Sequence, residues 1–127
     1  MKFAQILLSL FLLVTYASAD AAGYTLIGHW RYSENDHSSE YIFRTDGTFT
    51  GDVRLGDRTV WQYAGIWTVA GGRLSYQYTQ SSLARIPVGT TGQDKIIEIS
   101  ADRFLIETAD GSRHTYFRVD PPATNAP

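Results

Sequence analysis

Three histidines, a scatter of carboxylates and a large set of aromatic rings are the side chains here that could do chemistry. His29, His37 and His114 stand at no metal-ligand interval from one another. Glu34, Asp36 and His37 lie close together and could offer oxygen and nitrogen ligands, but a solvated, charged loop is the commoner reason for such a run, so no metal is expected. The chain has no cysteine, which removes thiolate metal sites, disulfides and thiol nucleophiles together. No serine lies in a nucleophile-elbow pattern. Asp46, Asp57, Asp102 and Asp110 fall in turn-like segments, where backbone geometry accounts for them and paired-carboxylate hydrolysis has no support. No glycine-rich loop precedes a helix, so phosphate has no cradle. The expectation is a protein without catalytic residues and without a cofactor.

The rings remain. Three Trp, eight Tyr and six Phe make 13% of the chain, and rings at strand spacing either fill a core or line a pocket. Tyr hydroxyls and indole N–H groups would give such a pocket its polar handles. Stacking single-stranded nucleic acid on a β surface would need a basic groove. The net charge is −2, with acidic and basic residues interspersed, so nucleic acid is excluded as a partner.

Strands must position these rings. Between 24 and 119 no window holds apolar residues at helical spacing, whereas runs of period-two alternation recur, punctuated by Gly and Asp. The expected strands cover 25–32, 40–44, 48–55, 60–70, 73–79, 95–100, 103–108 and 113–119. Asp46-Gly47, Gly56-Asp57, Gly71-Gly72 and Asp110-Gly111 accept positive φ at low cost, so consecutive strands should pair as antiparallel hairpins. Eight such strands form a meander, and closing it removes exposed edges. The expected fold class is all-β, an eight-stranded up-and-down antiparallel barrel, with a two-sheet sandwich as the alternative. The long connections, 33–39 and 80–94, share one end; 45–47, 71–72 and 101–102 make the other end tight. One rim should be pinched and the other elaborated.

Alternation turns Trp61, Tyr63, Gly65, Trp67 and Val69 inward, with Phe49, Gly51, Val53 and Leu55 beside them. Tyr41, Phe43, Leu74, Tyr76, Tyr78, Leu26, Gly28, Trp30, Tyr32, Ile97, Ile99, Phe104 and Ile106 complete this face. The last strand is ambiguous, since Tyr116 and Phe117 point opposite ways. The inward glycines have two explanations: they let large rings of neighbouring strands pack, or they leave space for a ligand.

The chain should be exported. Met1-Lys2 gives a short positive end, residues 6–16 are almost wholly apolar, and Ala17-Ser18-Ala19 matches a small-x-small cleavage site. The expected organisation is a signal peptide at 1–19, one barrel domain at 20–119 and a proline-bearing disordered tail at 120–127. The location is periplasmic or secreted, with no membrane insertion after cleavage. Loss of Lys2 makes the mature chain more acidic by one charge.

Gly28-His29-Trp30, then Phe43-Arg44-Thr45-Asp46-Gly47-Thr48-Phe49, then Gly65-Ile66-Trp67-Thr68-Val69 resemble the small bacterial exported lipocalin-like β-barrel domains. The resemblance implies that Trp30 plugs the closed end and that Arg118, near the end of the last strand, packs across it, both in structural roles. That match requires the first strand to run past Tyr32. Departures are the short length, the missing disulfide and the lack of a helix after the barrel.

The leading expectation is a non-catalytic binding protein that takes a small apolar or aromatic ligand at the open end, through Tyr32, Tyr41, Leu55, Trp61, Tyr63 and Tyr78. The alternative is a protein-interaction or inhibitor module that uses the 80–94 loop on a packed barrel scaffold.

Overall fold

The computed structural model describes residues 26–119. The expected signal peptide at 1–19, residues 20–25 of the expected barrel domain and the expected tail at 120–127 lie outside the described residues. Eight strands follow in order: β1 (Gly28–Glu34), β2 (His37–Phe43), β3 (Thr48–Leu55), β4 (Arg58–Ala70), β5 (Arg73–Ser81), β6 (Thr91–Ile99), β7 (Arg103–Glu107) and β8 (Arg113–Arg118). Each pairs antiparallel with the next, and β1 closes on β8. The barrel is closed and up-and-down, and the sandwich alternative is set aside.

Three expectations need correction. The first long connection does not exist: β1 runs on to Glu34 and β2 starts at His37, leaving Asn35 and Asp36 as a two-residue turn. Asn35 takes φ 57° there, a left-handed conformation that Asn tolerates better than most residues. The second connection shrinks from 80–94 to 82–90, because β5 extends to Ser81 and β6 begins at Thr91. Period-two reading missed the start of β6 because its inward positions there are Gly92 and Asp94, neither of them apolar. Finally, the register shifts between Ile96 and Glu98, so Ile96 and Ile99 pack on the core and Ile97 is not the inward residue.

The interior is a continuous set of rings. Trp30, Phe43, Phe49, Tyr63, Tyr78, Phe104 and Tyr116 are buried, and Tyr32, Tyr41, Trp61, Trp67 and Tyr76 pack against them. In β8 the buried ring is Tyr116, while Phe117 is 55% exposed on the outer wall. Burial of each such ring contributes on the order of 2 kcal/mol, and edge-to-face pairs such as Trp30 with Phe104, centroids 4.8 Å apart, add to it.

The inward glycines belong to this packing. Gly51 lies opposite Tyr63, Gly65 opposite Phe49 and Gly92 opposite Tyr76, and in each pair the ring lies where a Cβ would stand. The first explanation above therefore holds: a bare position on one strand accepts the ring of the next.

At the tight end β1 meets β8 through two register pairs, Trp30 with Arg118 and Arg31 with Phe117. The Trp30 indole N–H donates to the Leu26 carbonyl at 2.8 Å, and the Arg118 guanidinium lies 4.1 Å over the indole. Arg118 also donates to the carbonyls of Ala101 (2.5 Å) and Ile27 (3.1 Å). Gly28, at φ 141°, leaves the room that this guanidinium occupies.

Candidate functional site

The opposite rim is formed by the Asn35-Asp36 turn, the Gly56-Asp57 turn, the 82–90 connection and the 108–112 connection. Only 82–90 is long, and it folds back onto the barrel. Ser82 donates its N–H to the Gln62 carbonyl at 2.9 Å, Gly89 donates to Tyr78 at 2.8 Å, and Tyr78 returns a bond to Thr90 at 2.9 Å. Ile86 packs against the core, whereas Val88 is 63% exposed.

The six residues expected at this end fall into two tiers. Tyr32, Leu55 and Trp61 stand toward the rim. Tyr32 is half-buried two residues before the end of β1, its hydroxyl bonded to Glu34 and its ring edge-on to His114, 4.8 Å between centroids. Trp61 is half-buried, and its indole N–H donates to Ser81 Oγ at 2.9 Å. Leu55 ends β3 and is 45% exposed. Tyr41, Tyr63 and Tyr78 form the ring floor beneath. Tyr63 lies 4.2 Å from Trp61, 5.5 Å from Tyr78 and 5.7 Å from Tyr41, measured between centroids.

Sequence reading missed the polar side of this interior. Ser39 and Asp94 are its buried polar residues, and Asp94 is only 5% exposed. Tyr41 hydrogen-bonds with both Tyr63 and Tyr116, and Tyr116 also with Ser39. Tyr76 hydrogen-bonds with Asp94, and His114 acts electrostatically on the same carboxylate. The Nδ1 atom of His114 is buried without a hydrogen-bond partner. Alternation continued backward from Ile96 through Asp94 to Gly92 would have found this carboxylate.

Burial pushes the Tyr41, Tyr63, Tyr76 and Tyr116 hydroxyls well above the ordinary phenol range, and moves Tyr78 to about 12 with help from the Asp94 charge. All five are neutral donors and acceptors at physiological pH. Burial also raises Asp94, opposed by its bond to Tyr76 and by His114. A deprotonated Asp94 is thus a costly group held among rings.

The outer wall has a separate polar groove of about 580 Å³ across β1 to β5, lined in part by His29, Glu40, Asp52, Gln62 and Gln80. Glu40 is held there by Arg31 and His29, each at 2.6 Å. Burial raises the Glu40 pKa, but the hydrogen bonds and electrostatic attraction of Arg31 and His29 together outweigh it and lower the pKa. Asp52 Oδ1 is buried without a partner. Among the described residues no group of three or more His, Asp or Glu side chains converges on a metal position.

No protein-family model matches this chain, and no curated protein matches it. A lipocalin-like protein from Bacteroides uniformis ATCC 8492 is similar in structure, with a TM-score of 0.57 and 18% identity over 74% of this chain and 98% of that one. The fold is a lipocalin-like β-barrel.

Proposed function

We propose that the protein is an exported, non-catalytic binding protein of the periplasm or exterior, and that a small apolar or aromatic ligand sits at the elaborated rim. Tyr32, Trp61 and Leu55 flank the ligand, and the ring floor of Tyr41, Tyr63 and Tyr78 lies under it. The observation that carries this reading is the unpartnered, buried Nδ1 of His114 beside the Tyr32 ring. A buried nitrogen without a partner costs about 1–3 kcal/mol, and an incoming hydroxyl or N–H group recovers it. A half-buried ring beside such an atom, with Trp61 half-buried at the same rim, has the composition of a small-molecule site. The filled lumen favours a shallow site at the rim over a deep one.

The test is a titration with 2-phenylethanol followed by intrinsic fluorescence. Tyr32→Ala and Trp61→Ala should each weaken binding by about tenfold, the loss of about 1.4 kcal/mol of ring contact. Unchanged binding in both variants refutes the site. The exposed Val88, on a connection anchored by Ile86, favours a second reading in which 82–90 contacts a protein partner. Replacing 82–90 by a short turn would then abolish capture of that partner and leave uptake of the small molecule intact.

A further inference from the structure

We infer that the ligand carries a protonated amine, with the Asp94 carboxylate as its anchor and the tyrosine ring faces around it as a cage for the cation. The inference rests on the rim reading above and names its ligand class. Among the described residues Asp94 is the one charged residue in the buried core. Among the described residues no Lys, Arg or His nitrogen lies within 4.0 Å of it, since the ion pairs present belong to Glu40, Glu98 and Glu107. Tyr76 donates to the carboxylate, and one donor fills one of its roughly four acceptor positions. The basic group facing it is His114; the other titratable groups that sense it are Tyr76, Tyr78 and Tyr116. A neutral apolar ligand would shield this carboxylate further from water and leave it uncompensated. An ammonium group pairs with it and also meets the negative faces of the surrounding rings.

The position lies close below the rim. Asp94 is the fourth residue of β6 counted from that end. Gly92, two residues nearer the rim on the same face, has no side chain, and the room above it is taken by the tip of Tyr76, which would lie 2.5 Å from a Cβ there. The other two ring-covered glycines are hemmed in by backbone as well, Gly51 by the Glu40 carbonyl and Gly65 by the Gln77 carbonyl. Of the three, Gly92 is the one whose three nearest neighbours are all side-chain atoms. For an ammonium group to reach the carboxylate through this space, Tyr76 must rotate away from Gly92 and give up its interaction with Asp94, which the ammonium replaces.

The experiment compares 2-phenylethylamine with 2-phenylethanol, its neutral counterpart, on the mature protein near neutral pH by calorimetry. The amine should bind at least about tenfold more tightly, and Asp94→Asn should bring it to the level of the alcohol without weakening the alcohol. Equal binding of the two in the native protein, or an amine preference that survives Asp94→Asn, overturns this inference and leaves the rim site standing. Failure of both probes to bind overturns the rim site along with it. Should Asp94→Asn not fold, the native protein decides: amine but not alcohol should shift the amide resonances of Gly92 and Asp94, and unmoved resonances refute the anchor.

Discussion

Replacing Gly65 by alanine tests whether the barrel is filled. A Cβ at Gly65 would lie 2.7 and 2.9 Å from two atoms of the Phe49 ring and deep inside contact distance of the Gln77 carbonyl oxygen. Ordinary contact begins near 3.4 Å, so the ring must retreat by more than half an ångström. Phe49 is 1% exposed, with Tyr41, Phe43, Tyr63, Tyr76 and Tyr78 around it, and has nowhere to go. The carbonyl belongs to the neighbouring strand, and moving it strains the β4–β5 ladder beside a register shift that already interrupts it. Overpacking of this kind costs about 1–3 kcal/mol, and each weakened ladder bond about 1 kcal/mol more. A net loss of about 3 kcal/mol is expected, a large part of the roughly 5–15 kcal/mol that holds a domain of this size. Urea unfolding followed by tryptophan fluorescence should show the midpoint falling with the slope unchanged. Gly47→Ala is the internal control. Its Cβ meets nothing within 4 Å, but φ there is 85°, so it should lose only about 1 kcal/mol. Gly65→Ala costing no more than Gly47→Ala would mean that Phe49 has free volume to move into, and the filled-lumen argument would be wrong.

Asp94→Asn should also change how stability depends on pH. A carboxyl whose folded pKa lies above its unfolded value of 3.8 contributes stability that is complete below that value and is lost as pH rises through the folded pKa. Native protein and variant should therefore be closest in acid, with the variant gaining toward neutrality; parallel curves across the range would show that the carboxylate is not strained. At the tight end, Arg118→Lys removes a planar group from over Trp30 and from two carbonyls. About 2 kcal/mol should be lost in urea, and a change below about 0.5 kcal/mol would deny Arg118 its sealing role. In the β1–β2 turn, Asn35→Gly should be neutral or slightly stabilising, whereas Asn35→Val at φ 57° should cost about 1 kcal/mol or more by thermal melts; equal melting of the two would contradict the left-handed turn.

Most of the barrel could be read from alternation and turn chemistry, because β4 and β5 turn Trp61, Tyr63, Trp67, Tyr76 and Tyr78 inward at period two, β3 sets Phe49 and Val53 on the same face between polar residues, and Gly71-Gly72 closes one hairpin without ambiguity. The errors arose where inward residues are not apolar. The start of β2 is polar, with Ser39 buried among rings, and the start of β6 carries Gly92 and Asp94 inward. A pattern that looks for apolar alternation reads both as loop. Asn35 compounded the first error, since a turn made by Asn in the left-handed region carries none of the Gly signals that marked the others. The same blind spot hid the polar half of the candidate site: rings were legible as rings, but a carboxylate facing inward is visible only once the register is known.

The two ends of the barrel differ most in how well their polar atoms are satisfied. At the tight end the Trp30 indole N–H has the Leu26 carbonyl, and the Arg118 guanidinium has two carbonyls and the indole face. Below the elaborated rim, His114 Nδ1 has no partner and Asp94 has no neighbouring cation within ion-pair distance among the described residues. Each such group costs on the order of 1 kcal/mol or more, and the ring packing between the two ends supplies the stability that tolerates them. Apolar side chains at 94 and 114 would fill the same space without that cost. What the polar pair offers in exchange is a place where an incoming donor or cation gains more than it would on a satisfied surface. The rings that stabilise the apo barrel also supply the low-dielectric walls that strengthen such a contact.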